Sequence, residues 1–198
     1  MSTVEALEWL YEKGIEEFEQ GHLEAARERF QAILQRTRDA DWTEKANAKL
    51  AQVYLKEDNL FWAMDHVHRA LKRNRREPEY HYIKGTIHFD RDEWHEAANE
   101  AVKAVEHGLD EPRYYRLLGK AVYEYEGYTS AREFLEWALE CDPSDNDVRL
   151  DFARIEIREG NFQKALHLLK EAVGNGHEDE RILESIRAIQ ENWEINGG

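Results

Sequence analysis

Five cationic side chains stand at spacings that could build a receptor for an anion. Arg113, Arg116 and Lys120 follow one another at i, i+3 and i+7, which is one face of an α-helix. Arg154 and Arg158 form an i, i+4 pair further along. An arginine fork matches a carboxylate in bidentate geometry, so such a face suits an acidic or carboxylate-ended segment. Neutralisation by Glu124, Asp147 and Asp151 is the competing expectation. Like charges at this spacing cost a helix about 0.2–0.5 kcal/mol per pair. A second basic run, Lys72, Arg73, Arg75 and Arg76, ends a helical pattern, where cations suit the macrodipole. Nucleic-acid contact is its alternative role.

Catalytic constellations are missing from the sequence. It contains no Gly-rich phosphate loop, no Gly-x-Ser-x-Gly and no His-Glu-x-x-His. His66 and His68 are two apart and point to different helix faces. His88 and Asp92 are four apart and could share a face, but a metal needs three or four ligands. These histidines are expected to be solvated or packed, with no metal and no cofactor. Cys141 is the single cysteine, so no internal disulfide can form and a reducing, cytoplasmic compartment fits best.

The elements that carry these residues repeat. Ala26, Ala63, Ala97, Ala131 and Ala165 are separated by 37, 34, 34 and 34 residues. Twelve positions before each stands a small residue: Gly14, Ala51, Gly85, Gly119, Ala153. Three positions before stands a large one: Leu23, Leu60, Trp94, Tyr128, Phe162. Seven positions after come Ile33, Ala70, Ala104, Ala138 and Ala172. Small residues let two helix backbones approach, and one pair cannot bury its apolar face alone, so pairs must stack. Apolar stripes at helical spacing, such as Leu117, Leu118, Ala121 and Val122, agree.

The spacing resembles the tetratricopeptide repeat, whose 34-residue unit carries Trp-x-x-Leu-Gly-x-x-Tyr, then Ala-x-x-x-Phe, then Pro. Leu118-Gly119, Ala131-x-x-x-Leu135 and Pro143 carry the likeness best, with Gly14, Ala26-x-x-x-Phe30 and Leu50-Ala51-x-x-Tyr54 beside them. The signature tryptophan position holds Leu10, Asn47, His81, Tyr115 and Arg149. The first gap of 37 places about three extra residues near Asp39–Trp42.

The expected fold is all-α: a right-handed α-solenoid of about five helix-turn-helix units in one domain, 1–198. The repeats run near 7–43, 44–77, 78–111, 112–145 and 146–179. A capping helix near 178–193 presents Ile182, Ile186, Ile189 and Trp193, and Asn196-Gly197-Gly198 is expected to fray. Ser2 and Glu5 have capping-box spacing.

The resemblance implies a concave groove lined by the first helix of each pair. It assigns to that groove Arg113, Arg116, Lys120, Arg154 and Arg158. Tyr11, Phe18, Tyr82, Phe89 and Tyr123 form its aromatic floor, or else pack against the second helices. The expected function is non-catalytic: an adaptor or assembly factor that binds an extended or helical segment of another protein. A self-associating scaffold is the alternative. A net charge of −15 disfavours nucleic acid, and no run of 18 apolar residues exists to cross a membrane.

Overall fold

The computed structural model describes residues 2–108, 111–176 and 180–195, without the side chains of 181 and 191–195. Eleven helices are found among the described residues, and no strand. They are α1 Thr3–Glu19, α2 Leu23–Arg36, α3 Ala40–Lys56, α4 Leu60–Arg73, α5 Pro78–Phe89 and α6 Trp94–His107, then α7 Pro112–Glu126, α8 Tyr128–Cys141, α9 Asn146–Arg158, α10 Phe162–Gly174 and α11 Glu180–Ile195. The chain divides into two compact units, Met1–Leu109 and Asp110–Gly198. Unit 1 holds three helix pairs. Unit 2 holds two pairs and α11.

Local chemistry sets the helix ends. Ser2 and Glu5 form the capping box, with Glu5 N donating to Ser2 Oγ at 3.2 Å and Ser2 N to Glu5 Oε2 at 2.7 Å. Pro78 and Pro112 open α5 and α7, where no intrahelical donor is needed. Inside the pairs, the turn residues Gly21, Asp58, Asp92, Gly127 and Gly160 all have positive φ. The chain then closes on the helix just ended: His22 N donates to Glu17 O at 2.8 Å, Asn59 N to Tyr54 O at 2.8 Å, and Asn161 N to Glu156 O at 2.8 Å. This is the hydrogen bond that terminates a helix through a left-handed residue. The extra residues near Asp39–Trp42 appear as an added helical turn. Asp39 caps α3 by accepting from the Asp41 and Trp42 N–H groups, and Trp42 lies edge-on to Tyr11 at 6.0 Å.

The repeated small residues form the close contacts. All five alanines from Ala26 to Ala165 are fully buried, as are Ile33, Ala70, Ala104, Ala138 and Ala172. Gly14, Ala51, Gly85, Gly119 and Ala153 are buried too. A Cβ added at Gly119 would lie 2.7 Å from Leu135 Cγ, and one at Gly14 would lie 2.8 Å from the Phe30 ring. Glycine there makes room for the large residue of the facing helix. The large residues that open the second helices are less enclosed than their size suggests: Leu23, Leu60, Trp94 and Tyr128 are half-buried, and Phe162 is exposed.

Within unit 2, α11 places Ile182 and Ile189 in a core cluster with Leu168 and Leu169, and Ile186 packs at its margin. The Trp193 side chain and Asn196-Gly197-Gly198 lie outside the described residues. No described helix is long and apolar enough to cross a membrane.

Two stability outcomes follow from this packing. Ala131→Leu forces extra methylenes into a closed contact and should lower stability by about 1–3 kcal/mol, read from the urea midpoint. An unchanged midpoint would show that the position is not a close contact. Deleting residues 178–198 should uncover the Leu168–Leu169 surface, lower the melting temperature by several degrees and promote aggregation. A clean monomer with an unchanged melt would refute the role of α11.

Candidate functional site

On unit 2, three of the expected cations converge on one carboxylate. Arg116 Nε donates to Asp151 Oδ2 at 2.8 Å, Lys120 Nζ lies 3.3 Å from the same oxygen, and Arg154 Nη1 donates to Asp151 Oδ1 at 2.9 Å. The Asp151 side chain is 8% exposed. Burial pushes its carboxyl up, but Lys120 and Arg116 more than reverse this and hold it below the ordinary carboxylate range. Arg116 also reaches Asp147 through Nη1 at 3.1 Å, and that carboxylate is 66% exposed. Three cations therefore share one buried and one solvated carboxylate.

Arg158 and Tyr123 form a neighbouring group on the same two helices. Arg158 Nη1 donates to Glu124 at 2.7 Å, and its guanidinium sits 5.8 Å over the Tyr123 ring. Tyr123 donates its hydroxyl to Glu159 at 3.0 Å. Burial, then the Glu159 carboxylate, raise this phenol above its ordinary value. Arg154 and Arg158 keep 71% and 61% of their side-chain surface in solvent. Arg113 pairs separately: its Nε is 3.1 Å from Glu111, and its guanidinium lies 5.1 Å over Tyr114.

The aromatics assigned to the groove floor of unit 1 are half-buried. Tyr11 meets Phe30 and Trp42 edge-on at 5.9 and 6.0 Å, and burial raises its phenol above the ordinary value. Phe18 carries the Lys56 ammonium 4.3 Å over its ring, and Phe89 meets Trp94 edge-on at 4.9 Å. Tyr82 lends its carbonyl to the Thr86 hydroxyl at 2.9 Å.

His66 and His88 engage partners within the fold. His88 and Asp92 do not share a helix face, because α5 ends at Phe89 and Asp92 lies in the turn with φ 59°. His88 Nδ1 instead hydrogen-bonds Glu93 Oε2 at 2.5 Å. His66 is buried, stacks on Tyr54 at 5.4 Å, and contacts Asn47 Oδ1 through Nδ1 at 2.8 Å. Asn47 Nδ2 donates to Thr43 O, which turns its oxygen toward the ring. Burial and then the Arg69 charge depress His66, so the neutral ring donates from Nδ1. Among the described residues, no group of three or more metal-ligating side chains occurs.

Buried polar hubs went unnoticed in the sequence. Glu100 receives His81 Nδ1 at 2.7 Å and the Lys84 and Lys103 ammoniums at 2.9 Å each. Burial pushes this carboxyl up, but the three donors outweigh it and hold it well below the ordinary range. Glu156, fully buried, receives Tyr128, Asn161 and Lys164 at 2.8–3.0 Å. The signal was present at the signature's large positions: His81 and Asn47 stand where tryptophan is expected, and Glu156 where tyrosine is expected. Each polar replacement came with a polar partner on the second helix.

Successive helix pairs built on close contacts at small residues define a helical-repeat protein. Residues 84–146 and 124–189 match two tetratricopeptide repeat models, and residues 5–110, just over half of the chain, match the model described as YfiO, outer membrane lipoprotein. The chain belongs to the tetratricopeptide repeat family, with the YfiO model covering residues 5–110. Proteins of this family are generally non-enzymatic interaction modules. No curated protein matches the chain as a sequence. Among solved structures it is similar to PilF of Pseudomonas aeruginosa, with a TM-score of 0.78 at 18% identity over 98% of this chain and 92% of that one. A thermophilic repeat protein of Thermus thermophilus gives 0.78 at 15% identity, covering 93% and 98%. YrrB, described as having an unusual peptide-binding site, gives 0.64 at 18%, covering 91% and 90%. At these identities the likeness shows the fold.

Asp151 is the test of how the unit 2 face is built. Asp151→Asn should lower stability at neutral pH by about 1.5–3 kcal/mol, because charged hydrogen bonds to a buried carboxylate are lost. A depressed carboxyl contributes its full stability above the ordinary aspartate range, and that contribution disappears as pH falls through the depressed value. The gap between wild type and variant should therefore close only in acid. An equal gap at pH 7 and in strong acid would show that the effect is packing.

Proposed function

We propose that this chain is a non-catalytic adaptor that holds a segment of a partner protein on the α7–α9 face of unit 2. The observation that carries the reading is the shared carboxylate: Arg116, Lys120 and Arg154 all rest on Asp151, so the face has more cations than buried anions. Asp147 is solvated, and a carboxylate of the partner can take its place on Arg116 at little desolvation cost. Asp151 meanwhile fixes the guanidinium in position. Arg154 and Arg158 present their charge to solvent one helical turn apart. An acidic or carboxylate-ended segment matches this arrangement, and the Tyr123 ring gives it apolar surface.

The alternative is a scaffold in which copies of the chain associate. Sedimentation across a concentration series separates the two readings, and a strict monomer removes the scaffold. Location divides in the same way. The lone, half-buried thiol of Cys141 fits a reducing cytoplasm, whereas the likeness of residues 5–110 to an outer membrane lipoprotein model fits a bacterial envelope. Cell fractionation decides between them.

Arg154→Glu with Arg158→Glu should weaken capture of the native partner by about a hundredfold, on the order of 1.4 kcal/mol per reversed charge. Both side chains are mostly solvated, so helicity and melting temperature should hardly change. Binding by the wild-type chain should also weaken as salt is raised. Full affinity in the double variant would remove the charge mechanism. Arg116 is a poor site for this test, because its side chain is only 28% exposed and bridges Asp147 and Asp151, whereas that of Arg154 is 71% exposed.

A further inference from the structure

We propose that unit 1 carries a second, separate site: a basic pocket at the end of α4 that takes an anion bearing linked phosphates. A concavity of about 470 Å³ is lined by Arg38, Arg69, Lys72 and Arg73, together with Thr43 and Asn47. No acidic residue lines it. Lys72 also lines an adjoining concavity of about 470 Å³, where Arg75, Lys84 and Lys103 join it and Glu100 is the one carboxylate. Seven of the chain's 27 lysines and arginines thus stand around two adjoining hollows, in a protein of net charge −15.

These charges are only partly neutralised from within. Arg69 pairs with Asp65 at 2.8 Å, and Lys84 and Lys103 share Glu100. Arg38, Lys72, Arg73 and Arg75 form no ion pair among the described residues; Arg38 donates only to the Leu34 carbonyl, at 3.0 Å. Arg69, Lys72 and Arg73 stand at i, i+3 and i+4 on α4, a spacing at which like charges repel. Their field reaches the neighbouring imidazoles. After burial, the Arg69 charge depresses His66, and the Lys84 charge depresses His68.

Capping of α4 does not account for so much charge. A helix C-terminus carries about half a negative charge, which one of these cations already exceeds. Arg38 and Arg75 moreover lie outside α4 altogether. The ligand must therefore bring several negative charges into a small volume. A phosphate carries about −1.5 to −2 charges and three acceptor oxygens, which suits converging guanidinium forks better than a single carboxylate does. No Phe, Tyr or Trp lines either hollow, so unstacked bases have no platform there. The acidic remainder of the chain repels a long polyanion, while a compact one fits inside the hollows. Free oligophosphate and the phosphate end of a nucleotide share this chemistry.

The test is calorimetric titration of the full chain with tripolyphosphate, with ATP and citrate as parallel arms. Tripolyphosphate should bind, raise the melting temperature and weaken with added salt. Arg38→Glu with Arg73→Glu changes two exposed side chains, and should weaken binding at least about a hundredfold while leaving the unliganded melt unchanged. The unit 2 variant Arg154→Glu with Arg158→Glu should bind tripolyphosphate as wild type does, so the two sites succeed or fail separately. ATP binding as tightly as tripolyphosphate would identify the phosphate chain as the recognised part. Four results would overturn the proposal: no binding of tripolyphosphate, no loss in the Arg38/Arg73 variant, citrate binding equally well, or a single-stranded oligonucleotide binding more tightly than tripolyphosphate.

Discussion

Two helix backbones approach closely at a small residue, and everything else in this protein depends on that approach. Gly14 lies against Phe30, and Gly119 against Leu135, at distances that leave no room for a Cβ. With the backbones held at that spacing, the alanines from Ala26 to Ala165 are buried completely. The cost of a helix-interior glycine, about 1 kcal/mol against alanine, is offset by packing the large side chain of the facing helix. Turns with left-handed residues return each chain segment onto its partner, so the contacts within a pair are local in sequence.

The same spacing explains the polar interior. Where the repeat signature calls for a large aromatic, this chain places Asn47, His81 or Glu156. Each occupies a position that the close helix pair keeps from water, and each is satisfied: Asn47 by His66 and Thr43, His81 by Glu100 and the Arg75 carbonyl at 2.8 Å, Glu156 by three donors. Arg149 fills the corresponding place in the last pair and donates to the Pro143 carbonyl. An unpaired buried polar group of this kind costs about 1–3 kcal/mol, which is why each replacement comes with partners. The replacements make each pair distinct from its neighbours while the backbone plan stays the same.

Charge is distributed with comparable economy. The chain has a net charge of −15, and some of its basic residues gather in two settings with different chemistry. On unit 2 three of the cations are organised by Asp151, a buried carboxylate that holds them in place. At the end of α4 in unit 1, Arg69 pairs with Asp65, while Arg38, Lys72 and Arg73 line a hollow without an ion pair among the described residues. The proposed partner segment would exchange one carboxylate for another on the first. The proposed phosphate ligand would bring its own charge to the second.

The sequence alone determined the repeat, because periodicity depends only on residue type and spacing. The register of Gly14, Ala51, Gly85, Gly119 and Ala153 set the helix pairs, and Ser2, Pro78 and Pro112 marked helix starts through purely local hydrogen bonding and φ restriction. It also put Arg116, Lys120 and Arg154 on one surface, since i, i+3, i+4 and the 34-residue step are geometric facts. What it could not decide was how these cations are compensated. Asp151 had been one of three acidic candidates, and only the packing of α7 on α9 made it the shared, buried partner of all three. The His88–Asp92 spacing misled because a left-handed turn intervenes at Asp92, and helical spacing has no meaning across a turn. The α4 hollows draw on Arg38, Lys84 and Lys103, which are far from Lys72 in sequence and brought beside it by stacking. Contacts of that kind are set by tertiary distance, which no local pattern encodes.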